Sequence, residues 1–413
     1  MRTVSGIMLV MLLTGTLVLA FNVRRAESKP GTIIVPDDYP KIQDAIDNAS
    51  AGDTIFVRAG TYNECITIDK PLTLKGESNQ NTTLQLSGGS RGWGLFGLDI
   101  IASNVTVSGF TLIKDPRFYW PAVVLVDIDA RSKECGNNTI KDNILMGRNT
   151  DALALLGSSG NKIMNNSISN NPSGCCIYMV DSSDSNFISY NELSGGWAGV
   201  YISFSSSNTV LGNDIANQKM MEPGVIGGNG AGIEIMHSPD NVVVGNRLTG
   251  NDVGVDVFAA DSIDNSIYHN SFVGNVIQAG VYSSYNSWYS GYPSWDSGYP
   301  SGGNYWSDYN GSDLYGGPYQ NVTGSDGIGD APYIINALIS TDHYPLMSPV
   351  KKIVGDVNMD GVVDGRDLIV VSRAFAATPA CTNWNQLADL NGDGKIDGQD
   401  MIIVARHFGQ HYL

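Results

Sequence analysis

The sequence predicts an all-β solenoid of stacked parallel coils, followed by a small all-α module built on two acidic loops. Three observations carry this. A short unit, Asn-x-Ile/Val-x-x-Asn-x-apolar, recurs through the centre of the 413-residue chain. Two stretches near the C-terminus share the pattern Asp-x-Asn-x-Asp-Gly-x-x-Asp-x-x-Asp and lie 33 residues apart. Gly is abundant (48) and Lys plus Arg scarce (24), which suits turn-dense β structure better than a helical protein.

The chain opens Met1-Arg2, then runs apolar from about Ile7 to Phe21. That form is a secretory signal with Ala20 or Ala26 before the cleavage point. The rival is an uncleaved N-terminal anchor, because Arg24 and Arg25 follow closely; residues 1–26 are assigned to one or the other. Membrane contact is expected only through this segment if uncleaved, since no later stretch approaches 18 apolar residues. A net charge of −17 disfavours nucleic acid and anionic membrane surfaces. The five cysteines fit no zinc spacing and suggest no pairing; Cys175 and Cys176 read as small buried hydrophobes.

Residues 40–50 read as a short amphipathic helix, and Gly52–Glu64 and Pro71–Gly76 as strands with turns. An open solenoid end needs a cap against edge pairing, and this helix is the expected N-terminal one. The Asn unit then begins at Asn138, Asn161, Asn186, Asn208, Asn241 and Asn265, with steps of 23, 25, 22, 33 and 24. A period near 24 with several short apolar strands per repeat signals stacked β coils. Each Asn is expected to donate its side-chain amide to the Asn carbonyl one coil away, and to tolerate left-handed backbone at a tight corner. The 33-residue step holds an insertion around Met220–Gly228.

One strand per coil can be aligned back from these Asn residues. Alternation sends its flanking residues inward and its middle residue outward. Ala154, Tyr178, Tyr201, Glu234, Asp256 and Tyr282 are thereby expected in one outward column. Glu234 and Asp256 become a carboxylate pair, the candidate catalytic acids of a glycosidase-type site; mutual repulsion would raise one pKa. A further calcium ion at this pair is the alternative, and ordinary sheet polarity the bland one. Tyr178, Tyr201 and Tyr282 flank it as floors for sugar rings. From Tyr282 to Tyr319 the chain carries twelve Tyr or Trp residues. Trp288 and Trp295 are candidate glycan contacts; Tyr305, Trp306 and Tyr309 are expected to close the bore. Asp308, Asp313, Asp326, Asp330 and Asp342 either bind calcium or cap turns, with turn-capping preferred. The five His are scattered, which argues against transition-metal work.

Residues 30–348 resemble the right-handed parallel β-helix superfamily of pectin-lyase-like proteins, and within it the NosD-like branch with its carbohydrate-binding and sugar-hydrolase (CASH) modules. The resemblance rests on Pro40-x-Ile42-Gln43-x-Ala45-Ile46, Gly60-Thr61-Tyr62-x-Glu64, the Asn repeats, and a closing block from Gly303 to Leu346. It implies a right-handed β-helix. It transfers no single activity, because one fold hosts many.

Calcium takes oxygens from loop positions 1, 3, 5, 7, 9 and 12, with Gly at 6 for the turn. The first loop offers Asp356, Asn358, Asp360, the Val362 carbonyl, Asp364 and Asp367; the second offers Asp389, Asn391, Asp393, the Lys395 carbonyl, Asp397 and Asp400. Position 12 is Asp in both rather than the longer Glu. Each loop leads into the same apolar run, Leu368–Phe375 and Met401–Phe408. Residues 353–410 resemble a type I dockerin, which implies two bound calcium ions and a cohesin-type partner on a scaffold or surface protein. The Ser-Thr-like pair many dockerins carry at positions 10 and 11 is here Gly365-Arg366 and Gly398-Gln399, so the partner's identity stays open.

Taken together, these features predict an extracellular, secreted modular protein whose β-helix binds polysaccharide or glycan and whose dockerin attaches it through calcium. The alternatives are a polysaccharide lyase or glycoside hydrolase working at Glu234 and Asp256, and a non-catalytic structural or adhesion protein of the cell surface.

Overall fold

The computed structural model describes residues 30–410 apart from 87–96, 115–121, 123, 128–134, 148–149, 170–173, 221–229, 259–261, 283–291, 337–338, 351–353, 359–361, 379–380 and 382. The signal or anchor segment, most of the 220–228 insertion, Trp288 and Asp360 lie outside the described residues. Among the described residues no helix is long and apolar enough to cross a membrane.

Three parallel sheets wrap one bore as a right-handed β-helix. The first holds ten strands, from Thr32–Val35 to Ser266–Tyr268. The second holds nine, from Ile66–Ile68 to Ile277–Tyr282. The third holds ten, from Gly60–Asn63 to Tyr305–Trp306. One coil runs Lys162–Met164 in the first sheet, Ser167–Ser169 in the third and Cys175–Val180 in the second. Phe187–Ser189 then returns to pair with Lys162–Met164. The strands of the first and third sheets are short because each needs only one inward residue. Ile140, Ile163, Ile188, Val210, Val243 and Ile267 stack in register and are fully buried. Each such burial contributes about 1.5–3 kcal/mol relative to exposure.

The coils turn on files of buried asparagine. Asn143, Asn166, Asn191, Asn213, Asn246, Asn270 and Asn304 form one file. Each backbone amide donates to the next side-chain oxygen at 2.9–3.1 Å. Each side-chain amide donates to that same oxygen at 3.0–3.3 Å. The expected amide-to-carbonyl ladder is therefore present, with the backbone as a second donor. In the file from Asn138 to Asn265 the backbone donors hold at 2.8–3.0 Å. There, among the described residues, only Asn161 also donates its side-chain amide to the next Asn. A serine file, Ser158, Ser183, Ser205, Ser238 and Ser262, repeats the device at 3.1 Å per step.

The sequence suggested left-handed backbone at the ladder Asn residues; it falls instead on the residue before each of the first six of the long file. Asp142, Asn165, Tyr190 and His269 sit at φ 52–57°, and Gly212 and Gly245 take the same place at 62° and 66°. The positive φ makes the sharp corner; the next residue then aims its side chain into the file.

The N-terminal cap is helix α1 (Ile42–Asn48), which buries Ile42, Ala45 and Ile46. Its own N-cap side chain makes no bond. Glu64 supplies the missing acceptors, taking the Ile42 and Gln43 amides at 3.0 and 3.1 Å. At the other end Trp306 stacks between Phe272 and Tyr333, with ring centroids 4.3 and 4.2 Å away. Asp342 terminates the long Asn file, accepting from the Asn304 amide and the Trp306 indole at 2.8 Å each. Burial pushes this carboxyl up to about 7. Trp295 belongs to this plug. It is 1% exposed and donates to Ser340 at 2.6 Å, so it presents no face to a glycan, and the expectation of a sugar contact there is corrected. Asp313, Asp326 and Asp330 take backbone amides of nearby turns, the preferred capping role.

The C-terminal module has its own core of Val357, Val363, Val371, Ala374, Ala377, Ala388, Ile396 and Val404. Helices α2 (Gly365–Arg373) and α3 (Gly398–His407) each start with a capping box, Asp364 with Asp367 and Asp397 with Asp400. Both N-caps share φ −140° and ψ −162°, so the duplication in sequence is a duplication in structure.

Asn191→Ala should remove two donors and a shared acceptor from the middle of the long file. The expected loss is on the order of 2–4 kcal/mol of β-helix stability in denaturant unfolding; a loss below about 0.5 kcal/mol would refute a structural role for the ladder.

Candidate functional site

The second sheet carries the candidate face. In-register pairing aligns Ala154, Tyr178, Tyr201, Glu234 and Asp256, rising about 4.8 Å per coil, as the sequence reading placed them. Their flanking residues, from Leu153 and Leu155 to Val255 and Val257, are all fully buried in the bore. Tyr282 departs from the expected column. The rung beside Asp256 is Gly280, and Tyr282 pairs with Phe258 two residues further along. A Cβ on Gly280 would come 2.9 Å from both Asp256 Oδ1 and the Tyr282 ring, so only glycine fits under the carboxylate. Tyr282 stacks on Phe258 at 5.5 Å and is 45% exposed.

The openness of this face differs from expectation. Glu234 and Asp256 are both 0% exposed, and Ala154 is 4% exposed. Among the described residues, neither carboxyl oxygen of Glu234 has a hydrogen-bond partner. Burial, and then the neighbouring Asp256, push its pKa up to about 8. Glu234 is therefore a neutral carboxylic acid at pH 7, a proton donor held under cover.

The aromatic half of the face is more accessible. Tyr178 and Tyr201 are half-buried and stack with ring centroids 5.2 Å apart and planes 4° from parallel. Trp197 leans on Tyr201 at 5.5 Å and 59°. The sequence reading missed Trp197, although its position four residues before Tyr201, at the mouth of the same strand, was a signal for it.

The acidic loops form the second candidate site. In the first, Asp367 accepts the Val357, Asn358 and Asp364 amides at 2.7, 3.1 and 2.8 Å. In the second, Asp400 accepts those of Leu390, Asn391 and Asp397 at 2.8, 3.3 and 2.9 Å. Asp389 takes the Asp393 and Gly394 amides at 3.1 Å each, curling the loop around its own carboxylates. Among the described residues no three His, Cys, Asp or Glu side chains converge as a metal set. His269 bonds Ser301, His343 bonds Asp296, and His237 stacks on Phe204.

With this geometry in place, the comparisons with known proteins are informative. The family model described as periplasmic copper-binding protein (NosD) matches residues 46–311, and the dockerin type I domain model matches residues 354–409. No curated protein matches the chain. Among solved structures, the chain is similar to the Dettilon tailspike protein (14% identity, TM-score 0.43, covering 66% of this chain and 61% of that one). The chain thus spans less than two thirds of that tailspike. It is also similar to an alginate lyase from a Paenibacillus species (18%, TM-score 0.34, 64% and 97%). A third likeness is to the A-module of a mannuronan C-5 epimerase from Azotobacter vinelandii (17%, TM-score 0.37, 59% and 77%). None reaches a TM-score of 0.5, and no activity passes from them to this chain.

Glu234 makes stability depend on pH. Its folded pKa of about 8 lies above the ordinary 4.5, so the folded chain keeps a proton that the unfolded chain has released. The stability this contributes is fully present below pH 4.5 and falls as pH rises towards 8. Unfolding at a series of pH values should show that decline, and Glu234→Gln should reduce it, leaving the part that buried Asp342 contributes; an unchanged pH profile in the variant would contradict the assignment.

Proposed function

Because this chain belongs to the NosD family across residues 46–311, and residues 354–409 match a type I dockerin, we propose an exported modular protein with two jobs. Its β-helix, residues 30–348, binds polysaccharide or glycan. Its dockerin, residues 353–410, holds two calcium ions and docks to a cohesin-type domain at the cell surface or on a scaffold. Residues 1–26 serve as a secretory signal or as an uncleaved N-terminal anchor.

The observation that carries the docking reading is the duplicated surface of the module. Ile369 and Phe375 in the first repeat, and Ile402 and Phe408 in the second, stand 49%, 49%, 51% and 56% exposed at matching positions. Large apolar side chains exposed at matching positions on the two helices and just beyond their C-termini suit a protein partner. The loop donors fit calcium: every side-chain donor is a hard oxygen of Asp or Asn, from Asp356, Asn358, Asp360, Asp364 and Asp367 in one loop and Asp389, Asn391, Asp393, Asp397 and Asp400 in the other. Val362 and Lys395 add carbonyls. Calcium would tie each loop to the start of its helix and so contribute folding energy. The loop donors include no His or Cys, and hard carboxylate and carbonyl oxygens suit calcium better than the copper of the family's description.

The glycan reading rests on the Tyr178–Tyr201–Trp197 platform, whose half-buried rings offer apolar faces with polar tips. A second reading, a lyase or hydrolase, is favoured by one observation: the raised pKa of Glu234 next to Asp256 suits an acid catalyst. Its full burial supports binding over catalysis.

Calorimetric titration should register two calcium ions, with Asp356→Ala losing one; equal stoichiometry and affinity in the variant would refute the ligand set. On a glycan array, the chain should retain a defined set of polysaccharides, and Tyr201→Ala should weaken retention about tenfold. Release of reducing ends that Glu234→Gln abolishes would move the assignment to the enzymatic reading.

A further inference from the structure

The calcium-loop module is not free of the β-helix. Lys162 projects from the first sheet and places its Nζ 2.6 Å from Asp389 Oδ2; the two side chains are 9% and 0% exposed. The same ammonium stands 4.7 Å above the Trp384 ring of the module. One coil earlier, Lys141 Nζ donates to the Gly392 carbonyl at 3.3 Å. Gly392 itself lies against the β-helix so closely that a Cβ there would be 2.9 Å from Met164 Sδ. The β-helix thus grips the second acidic loop at its first and fourth residues, Asp389 and Gly392, and places a cation over Trp384 just before the loop. A cleft of about 570 Å³ runs alongside, lined by Asn137, Thr139, Lys141, Lys162, Trp384 and Asp393.

Asp389 is position 1 of that loop, one of the oxygens calcium needs. We propose that seating of the module on the β-helix and calcium occupancy of its second loop oppose each other through Lys162. The inference rests on the calcium reading of the loops. Its physics is electrostatic. A buried ammonium within hydrogen-bond distance of a ligand carboxylate already neutralises that carboxylate, and it repels a divalent ion placed on the same group. Low exposure on both sides keeps solvent from screening the repulsion. Calcium therefore favours the unseated arrangement, in which Asp389 faces only the ion. By linkage the reverse holds equally: whatever keeps the module seated lowers calcium affinity at that loop by the same factor. The exposed pairs Ile369/Ile402 and Phe375/Phe408 would then be presented to a partner on an untethered module when calcium is abundant.

The test uses the full chain. Calcium titration of Lys162→Met should show one of the two sites tightened about tenfold, the size typical of coupled sites, while Lys162→Arg, which keeps the charge, should retain wild-type affinity. Small-angle scattering of the wild type should show the radius of gyration rising when calcium replaces chelator, a readout that needs no variant. Two ions bound with no tightening in Lys162→Met, or a radius indifferent to calcium, would overturn the proposal and leave the calcium reading standing. No calcium bound at all would overturn both.

Discussion

A coiled parallel sheet has one unavoidable difficulty: at every corner the chain turns away from its ladder, and the corner amides are buried without a strand to receive them. The buried asparagine files resolve it. Asn213 is representative: its oxygen accepts both the backbone amide and the side-chain amide of Asn191, while its own amide reaches Asn246 and the Ile188 carbonyl. An unmet buried amide costs about 1–3 kcal/mol, so a file of seven Asn decides whether the stack closes. No aliphatic residue offers an acceptor at this point, and Asp would bring a buried charge. The one carboxylate the file does admit, Asp342, comes at its end and is driven towards neutrality by burial.

Register follows from these files, and the candidate face follows from register. Each Asn fixes where a coil begins relative to its neighbour, so the residues a set distance upstream fall into columns. That is why Tyr178 meets Tyr201 face to face, and why Tyr201 still falls in register with Glu234, although a 33-residue step separates Asn208 from Asn241. The extra length is absorbed before the strand Ala231–Met236, leaving the ladder intact. A tolerant scaffold of this kind can change loop content on one side without losing alignment on the other.

Much of this was legible in the chain itself. The Asn period, the cap at Ile42–Asn48 and the paired loops were readable because each rests on local chemistry: a hydrogen-bonding side chain at a corner, an apolar face at helical spacing, oxygens at fixed loop positions. What was not legible depended on distant parts of the fold. Tyr282 slipped from the column because the pairing of the last strand begins at Ile277, two residues earlier than the apolar pattern suggests. Glu234 and Asp256 were read as exposed because alternation tells inside from outside the bore, and cannot tell which outward positions end up covered. Trp295 was read as a surface aromatic, whereas the plug of Phe272, Trp306 and Tyr333 needed its bulk. Lys162 carried no signal at all, since its partner Asp389 lies 227 residues away.

The molecule therefore combines two kinds of order. The β-helix is held by groups that need nothing from solution, whereas the dockerin's loops gather acidic oxygens whose mutual repulsion a divalent ion would relieve. Amide hydrogen exchange, followed with calcium and with chelator, separates the two most directly. The account predicts that the amides of Asn166, Asn191, Asn213 and Asn246 remain among the slowest in both conditions, and that those of α2 and α3 gain protection when calcium is present. Helix amides indifferent to calcium, or ladder amides that exchange as fast as surface loops, would contradict it.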